Sequence, residues 1–260
     1  WTTENFLKAM DAVYASTGNA VGAVYCSGQG GDQGTRALIN NLYGGTFTDA
    51  AHTMYTADSE ENIKAIQALV DSDAITFDAS IAGGDEIRLF RQGVLNVAFC
   101  WNIAQQLNAD NNTAGLTNDG DEILFMAFPS ENGTDTKLCG GIWGFGIFDN
   151  GDANKIAASK LFIKYMADSA EGTKDAVLSS TYFPVRDTVE GVDLTGIYSD
   201  VQAMSDYGTL MQYLGDYYQV TPGWAEARTA WWNMLQQVGS GVDVETAVNE
   251  FVATSNAAAK

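Results

Sequence analysis

The chain has 260 residues, enough for one large or two small domains, and its hydrophobic content of 46% is that of an ordinary globular protein. Only 13 Lys and Arg stand against 33 Asp and Glu, a formal charge of −20. That balance argues against a nucleic-acid partner, whose phosphates demand a basic face, and against docking on anionic lipid. No apolar run is long enough to span a bilayer, and the opening residues carry no signal-peptide pattern.

In chain order, Thr2 is placed to cap a first helix, in which Phe6, Leu7, Met10, Val13 and Tyr14 recur at helical spacing. Val21 to Tyr25 reads as a short apolar strand. It runs into a glycine-rich loop, Cys26 to Arg36, that opens a helix over Ala37 to Leu42. Free N–H groups at a helix start attract anions, but no Gly-Lys-Ser/Thr follows, and Gln33 stands where a dinucleotide loop needs its third Gly. The loop reads instead as a ligand loop whose Asp32, Gln33 and Thr35 hydrogen-bond hydroxyls, or else as a plain turn and N-cap. Arg36 is the one cation there to meet an anionic solute. Gly44-Gly45 closes the helix. Ser59 to Val70 is an amphipathic helix with Ile63, Ile66, Leu69 and Val70 as its stripe.

The stretch Asp85 to Asn102 carries the most information. Ile87, Leu89 and Phe90 give a short helix an apolar side, and Gly93 is placed to end it. Val94 to Phe99 then reads as a strand covered on both faces. Trp101 and Asn102 follow at its carboxyl end, where open α/β sheets keep their ligands. A Trp face beside an amide suits a sugar ring, which has an apolar C–H face and a rim of hydroxyls.

Asn108 to Glu122 is a solvated loop that departs from a calcium loop at Ala114 and Asp121. Ile123 to Phe128 reads as a second buried strand ended by Pro129. Gly140 to Phe148 alternates Gly with large apolar residues, which suits a strand crossing between two lobes with Trp143 at the cleft; a Trp buried in a core is the rival reading. Helices are expected over Ala153 to Ala167 and Ala170 to Leu178, and Thr181 to Arg186 is extended at its Pro. Val189 to Gln219 reads as helix in two pieces. Thr221-Pro-Gly-Trp224 is a turn presenting Trp224 at the start of a helix, Ala225 to Val238. A last helix runs from Val244 to Ala253, with a small polar tail from Ser255.

Cys26, Cys100 and Cys139 are odd in number and widely spaced, so they form no disulfide framework or zinc motif, and buried thiols or one bridge plus a thiol are both open. With a single His52 besides, neither a metal nor a cofactor is expected.

Five segments, in order, resemble landmarks of the family 1 extracellular solute-binding proteins of ABC importers, the maltose-binding-protein-like receptors. They are Trp1 to Phe6 (Trp-Thr-x-x-x-Phe), Phe90 to Trp101 (Phe-x-x-Gly, an apolar run and Trp), and Pro129 to Phe148 with its Gly-rich strand. The others are Ala157 to Met166 followed by Phe183-Pro-Val-Arg186, and Gly239 to Ala247. The resemblance implies an α/β, periplasmic-binding-protein-like (type II) lobe, a mixed sheet flanked by helices, plus a helical piece of a second lobe. Residues 1–140 and 187–260 would form the C-terminal lobe. Residues 141–186 would belong to the N-terminal lobe, most of which the chain lacks. It also implies a non-enzymatic receptor that binds an oligosaccharide for ABC permease subunits. The full-length protein would be a monomer, extracellular and lipid-anchored on a Gram-positive cell. By matching position, sugar contacts fall on Asp32, Gln33, Thr35, Trp101, Asn102, Trp143, Gly144 and Trp224. The alternatives are a receptor of the same fold for a non-sugar solute, in which Arg36 would matter, and a glycoside hydrolase. For the latter, no pair of carboxylates is set at strand ends apart from Asp32.

Overall fold

A computed structural model describes residues 1–27, 32–99, 116–140, 144–180 and 182–260, with the side chains of residues 32, 83 and 203 outside that description. Trp101, Asn102 and Trp143 therefore lie outside the described residues.

Helix starts follow cap chemistry. The Thr2 side chain accepts the Asn5 amide at 3.2 Å and starts α1 (Thr3–Thr17), and Gly18, at φ 68°, ends it. Ser59 accepts the Asn62 amide to start α3 (Glu60–Val70), whose Ile66 and Leu69 are buried while Val70 is exposed. Asp152 caps α5 (Ala153–Asp168), and Asp243 caps α9 (Val244–Ala258).

The main core lies on a two-stranded parallel sheet. β1 (Gly22–Ser27) pairs with β2 (Ile75–Ala82) from Gly22↔Ile75 to Tyr25↔Asp78, then shifts register so that Ser27 meets Ala82. No strand was expected over 75–82. Its Ile75, Phe77 and Ile81 do alternate with polar residues, but the alternation is interrupted at Ala79. Between the strands come α2 (Asp32–Tyr43) and α3; from the far end of the sequence, α8 (Trp224–Gly239) covers the sheet and α9 packs on α8 and α3. Trp231 sits at the centre, fully buried, with its ring 5.3 Å from Phe47 and 5.4 Å from Phe251.

Four expectations change. Val94 to Phe99 follows α4 (Gly83–Arg91) and the left-handed Gly93 as anticipated, but it is no strand. The amides of Asn96 and Val97 both donate to the Val21 carbonyl, and that of Phe99 goes to the buried Glu86 carboxylate at 2.7 Å. With the Val94 and Leu95 amides turned back to the Leu89 carbonyl, the donors are spent on two carbonyls and one side chain, so no ladder forms. Ile123 to Phe128 makes no ladder among the described residues, and Leu124 is 73% exposed, so its burial alternates. Residues 189–219 are far less helical than expected. They hold a hairpin of β4 (Thr188–Val189) and β5 (Val192–Asp193), the short α7 (Gln202–Gly208), 3₁₀ turns, and β6 (Leu214–Asp216), which pairs in parallel with β3 (Leu138–Cys139). Glycines and β-branched residues here weaken the helix, and the sheet pairing of β6 wins. Finally, α9 continues to Ala258, and Ser255 is buried where a polar tail was expected.

Helix α5 is the exception to the packed arrangement. It has no buried residue; Leu161 is 70% and Phe162 55% exposed, and Phe148 before it is 91% exposed. With α6 (Ala170–Ser180) it forms a pair whose apolar side faces outward.

Candidate functional site

The start of α2, the start of α8 and the segment after β6 come together through Arg36, Trp224 and Tyr218, while the carboxyl end of β1 is tied to the last turns of α8. α2 begins at Asp32, five residues earlier than expected, so the candidate polar residues lie on its first turn. Gln33 is exposed there. Thr35 is buried, and its hydroxyl accepts the Trp231 indole N–H at 3.0 Å, so it faces the core and anchors α8. Arg36 is fully buried. Its guanidinium carbon lies 4.9 Å from the Trp224 ring centroid, 5.2 Å from Tyr218 and 5.4 Å from Phe47, and its Nε donates to the Tyr218 hydroxyl at 3.0 Å.

Trp224 is half-buried at the first position of α8. Its ring packs on Phe47 (6.2 Å) and, tilted by 46°, on Tyr218 (5.3 Å). Trp224 therefore packs on the core with part of its surface and leaves the rest accessible. The preceding turn is pinned by the Tyr55 hydroxyl, which donates to the Pro222 carbonyl at 2.9 Å.

A second polar group gathers beside it. Asn41 on α2 grips the backbone of Lys137, donating to its carbonyl and accepting its amide at 2.8 and 2.7 Å. This fixes β3, which brings Cys139 opposite Asp216. The Gly140 amide donates to the Asp216 carbonyl, and Gln219 donates to both the Cys139 sulfur (2.7 Å) and the Gly140 carbonyl (2.9 Å). A Cβ on Gly140 would meet the Tyr217 ring, so here the strand glycine answers a close approach. Gly144, by contrast, is exposed with open space around it. Gln236 of α8 donates to the Cys26 carbonyl at 2.6 Å and ties the end of β1 to the same helix.

The electrostatics favour neutral chemistry. Burial pushes the Cys26 thiol up to about 12, with the Asp78 carboxylate adding to the effect. Burial also raises the Tyr218 phenol, against the pull of Arg36. Burial holds the Asp216 carboxyl above the usual carboxylate range, opposed by Lys137, His52, the Tyr218 amide and Arg36. Among the described residues no group of three or more His, Cys, Asp or Glu is placed to hold a metal ion.

The structure thus brings together Arg36 with Trp224, and Thr35 with Trp231. It adds Asp216, Tyr218 and Gln219, from a segment, 214–220, whose sequence reads as helix and whose one signal is proximity to the Pro-Gly-Trp turn, and Gln236, on the expected helix α8.

No protein-family profile and no curated protein matches the chain. Solved structures do. An ABC transporter solute-binding protein from Agrobacterium radiobacter K84, in complex with ribitol, superposes with a TM-score of 0.71 at 14% identity, over 98% of this chain and 64% of that one. The fold is periplasmic-binding-protein-like. A putative oligosaccharide periplasmic-binding protein from Synechococcus sp. MITs9220 gives 0.72 at 12% identity, over 99% and 65%. The cyclic alpha-maltosyl-1,6-maltose binding protein from Arthrobacter globiformis gives 0.68 at 16%, over 100% and 64%. The chain spans just under two thirds of the length of these proteins.

Proposed function

We propose that this chain is the larger part of a non-enzymatic carbohydrate receptor of an ABC importer, binding an oligosaccharide by indole stacking and hydrogen bonds to hydroxyls. The observation that carries the reading is the half-buried Trp224 ring at the start of α8, packed against Arg36 of the first turn of α2 on a fold shared with sugar-binding receptors. Stacking on such a face removes apolar area from both partners. Asp32, Gln33 and Gly144 stand as ligand contacts, with Trp101, Asn102 and Trp143 completing the set. Arg36, the cation an anionic solute would use, is buried against three aromatic rings, which favours a neutral ligand over a charged one. Permease subunits as partners and an extracellular, lipid-anchored location belong to the same reading.

Trp224→Ala tests it. Intrinsic fluorescence of the wild-type chain is expected to shift saturably with a neutral oligosaccharide such as maltotriose, and the variant to bind at least about tenfold more weakly, the value of one stacked ring. Equal affinities in the two would remove Trp224 from the site.

The division into a lobe of residues 1–140 and 187–260 and a segment 141–186 belonging to a second lobe is part of the proposal. Its support is the outward apolar side of α5, with Leu161, Phe162 and Phe148 exposed. Residues 149–186 also carry five acidic and five basic side chains, so the chain's excess negative charge lies elsewhere and repulsion is weakest at this face. The 260-residue chain is therefore expected to self-associate with rising concentration, and Phe162→Lys to shift it toward monomer in sedimentation velocity. A wild-type chain that stays monomeric at high concentration would count against an uncovered lobe face.

A further inference from the structure

A guanidinium stands behind the proposed stacking ring. Arg36 leaves the first turn of α2 and ends wholly out of solvent, with its Cζ 4.9 Å from the Trp224 centroid and its Nε bonded to the Tyr218 hydroxyl. Burying a cation is costly, and an apolar side chain of similar volume often packs as well or better. What the guanidinium adds is directional attraction to aromatic faces and a fixed fork of donors. Here it meets three rings at once, those of Trp224, Tyr218 and Phe47, between 4.9 and 5.4 Å.

The root of Trp224 is set separately. Gly223 has φ 71°, and a Cβ there would lie 2.8–2.9 Å from the backbone of Ala258 and Ala259. Tyr55 holds the Pro222 carbonyl. The end of α9 and the turn therefore fix where the indole leaves the chain, while rotation about its side-chain bonds is left to whatever lies against the ring.

We propose that Arg36 is a positioning residue: it grips the inner part of the Trp224 indole and holds the ring in the single orientation that presents its accessible surface to a sugar. The proposal rests on the reading of Trp224 as a stacking face. A ring already locked loses no rotamer freedom when the ligand arrives, which is the usual gain from preorganisation. Arg36 itself touches no ligand.

Two variants of the 260-residue chain test this. Arg36→Met keeps length and removes charge; Arg36→Lys keeps charge. The first readout needs no ligand: the chain is labelled with 5-fluorotryptophan, and the Trp224 resonance is assigned by its loss in Trp224→Phe. Expected are one narrow wild-type resonance, a shifted and broadened one in Arg36→Met, and recovery toward wild type in Arg36→Lys. The second readout is maltotriose titration. Arg36→Met is expected to weaken binding about tenfold, and to add nothing in a Trp224→Ala background, because a residue acting through Trp224 has no effect once that ring is gone. An unchanged Trp224 resonance in a folded Arg36→Met chain overturns the proposal, as do losses that add in the double variant. A wild-type chain that binds no maltotriose overturns the sugar reading instead, and the fluorine resonance still decides for Arg36. Should Arg36→Met fail to fold, Tyr218→Phe removes the hydroxyl partner of Nε and carries the same readouts; an unmoved resonance there overturns the proposal too.

Discussion

Trp231→Ala is expected to cost about 3–5 kcal/mol of stability, the range for truncating a large buried aromatic. The indole is almost wholly out of solvent and touches rings on two sides, Phe47 and Phe251. Its N–H also bonds the Thr35 hydroxyl at 3.0 Å, so truncation both opens a cavity and strips a buried hydroxyl of its donor. Against a total stability of about 5–15 kcal/mol for a typical domain, this leaves much of the variant unfolded. Urea unfolding followed by circular dichroism measures it. Trp231→Phe separates the two causes, since it keeps most of the ring and loses only the N–H; it is expected to cost less than half as much. A Trp231→Ala chain as stable as wild type would mean that α8 does not pack against Phe47 and Phe251 as described.

Gly223→Ala is expected to cost about 2–3 kcal/mol, combining a left-handed residue that acquires a Cβ with a contact that cannot relax. The atoms a Cβ would meet are the carbonyl and amide of the Ala258–Ala259 link, at 2.8–2.9 Å. These are backbone atoms at the end of α9, so no side-chain rotation relieves the contact. The effect reaches the site because Trp224 is the next residue. Loss of stability by thermal unfolding, with weaker oligosaccharide binding in the fraction that remains folded, is the expected pair of results. Loss of stability with full affinity would show that the indole finds its place without this turn.

Local sequence reading succeeded where short-range chemistry decides. The cap at Thr2 satisfies an orphan amide three residues on, and the left-handed Gly44 and Gly93 end helices where an L side chain is strained. Reading failed where the partner of a segment is remote. The apolar run 94–99 has strand composition, yet its amides go to Leu89, Val21 and Glu86, and composition cannot say which acceptor a donor will meet. β6 was hidden because its partner, β3, lies about seventy-five residues earlier.

The candidate site divides in the same way. Trp224 was legible from Pro-Gly-Trp at a helix start, and the glycine-rich loop marked the start of α2. The direction in which each side chain points was not legible. One turn of helix carries Gln33 outward and Thr35 and Arg36 inward, and only packing of α8 against α2 distinguishes these faces.

By itself, then, the amino-acid sequence determined the helix ends at Thr2, Gly44 and Gly93, the Pro-Gly-Trp turn and the sign of the charge, since each depends on residues within a few positions of one another or on composition alone. Tertiary structure alone decided that Arg36 is a buried cation packed against the rings of Trp224, Tyr218 and Phe47. It also decided that Thr35 serves Trp231, and that α5 presents its apolar side outward. Those outcomes depend on contacts between segments as much as 196 residues apart, brought together by the burial of a shared core.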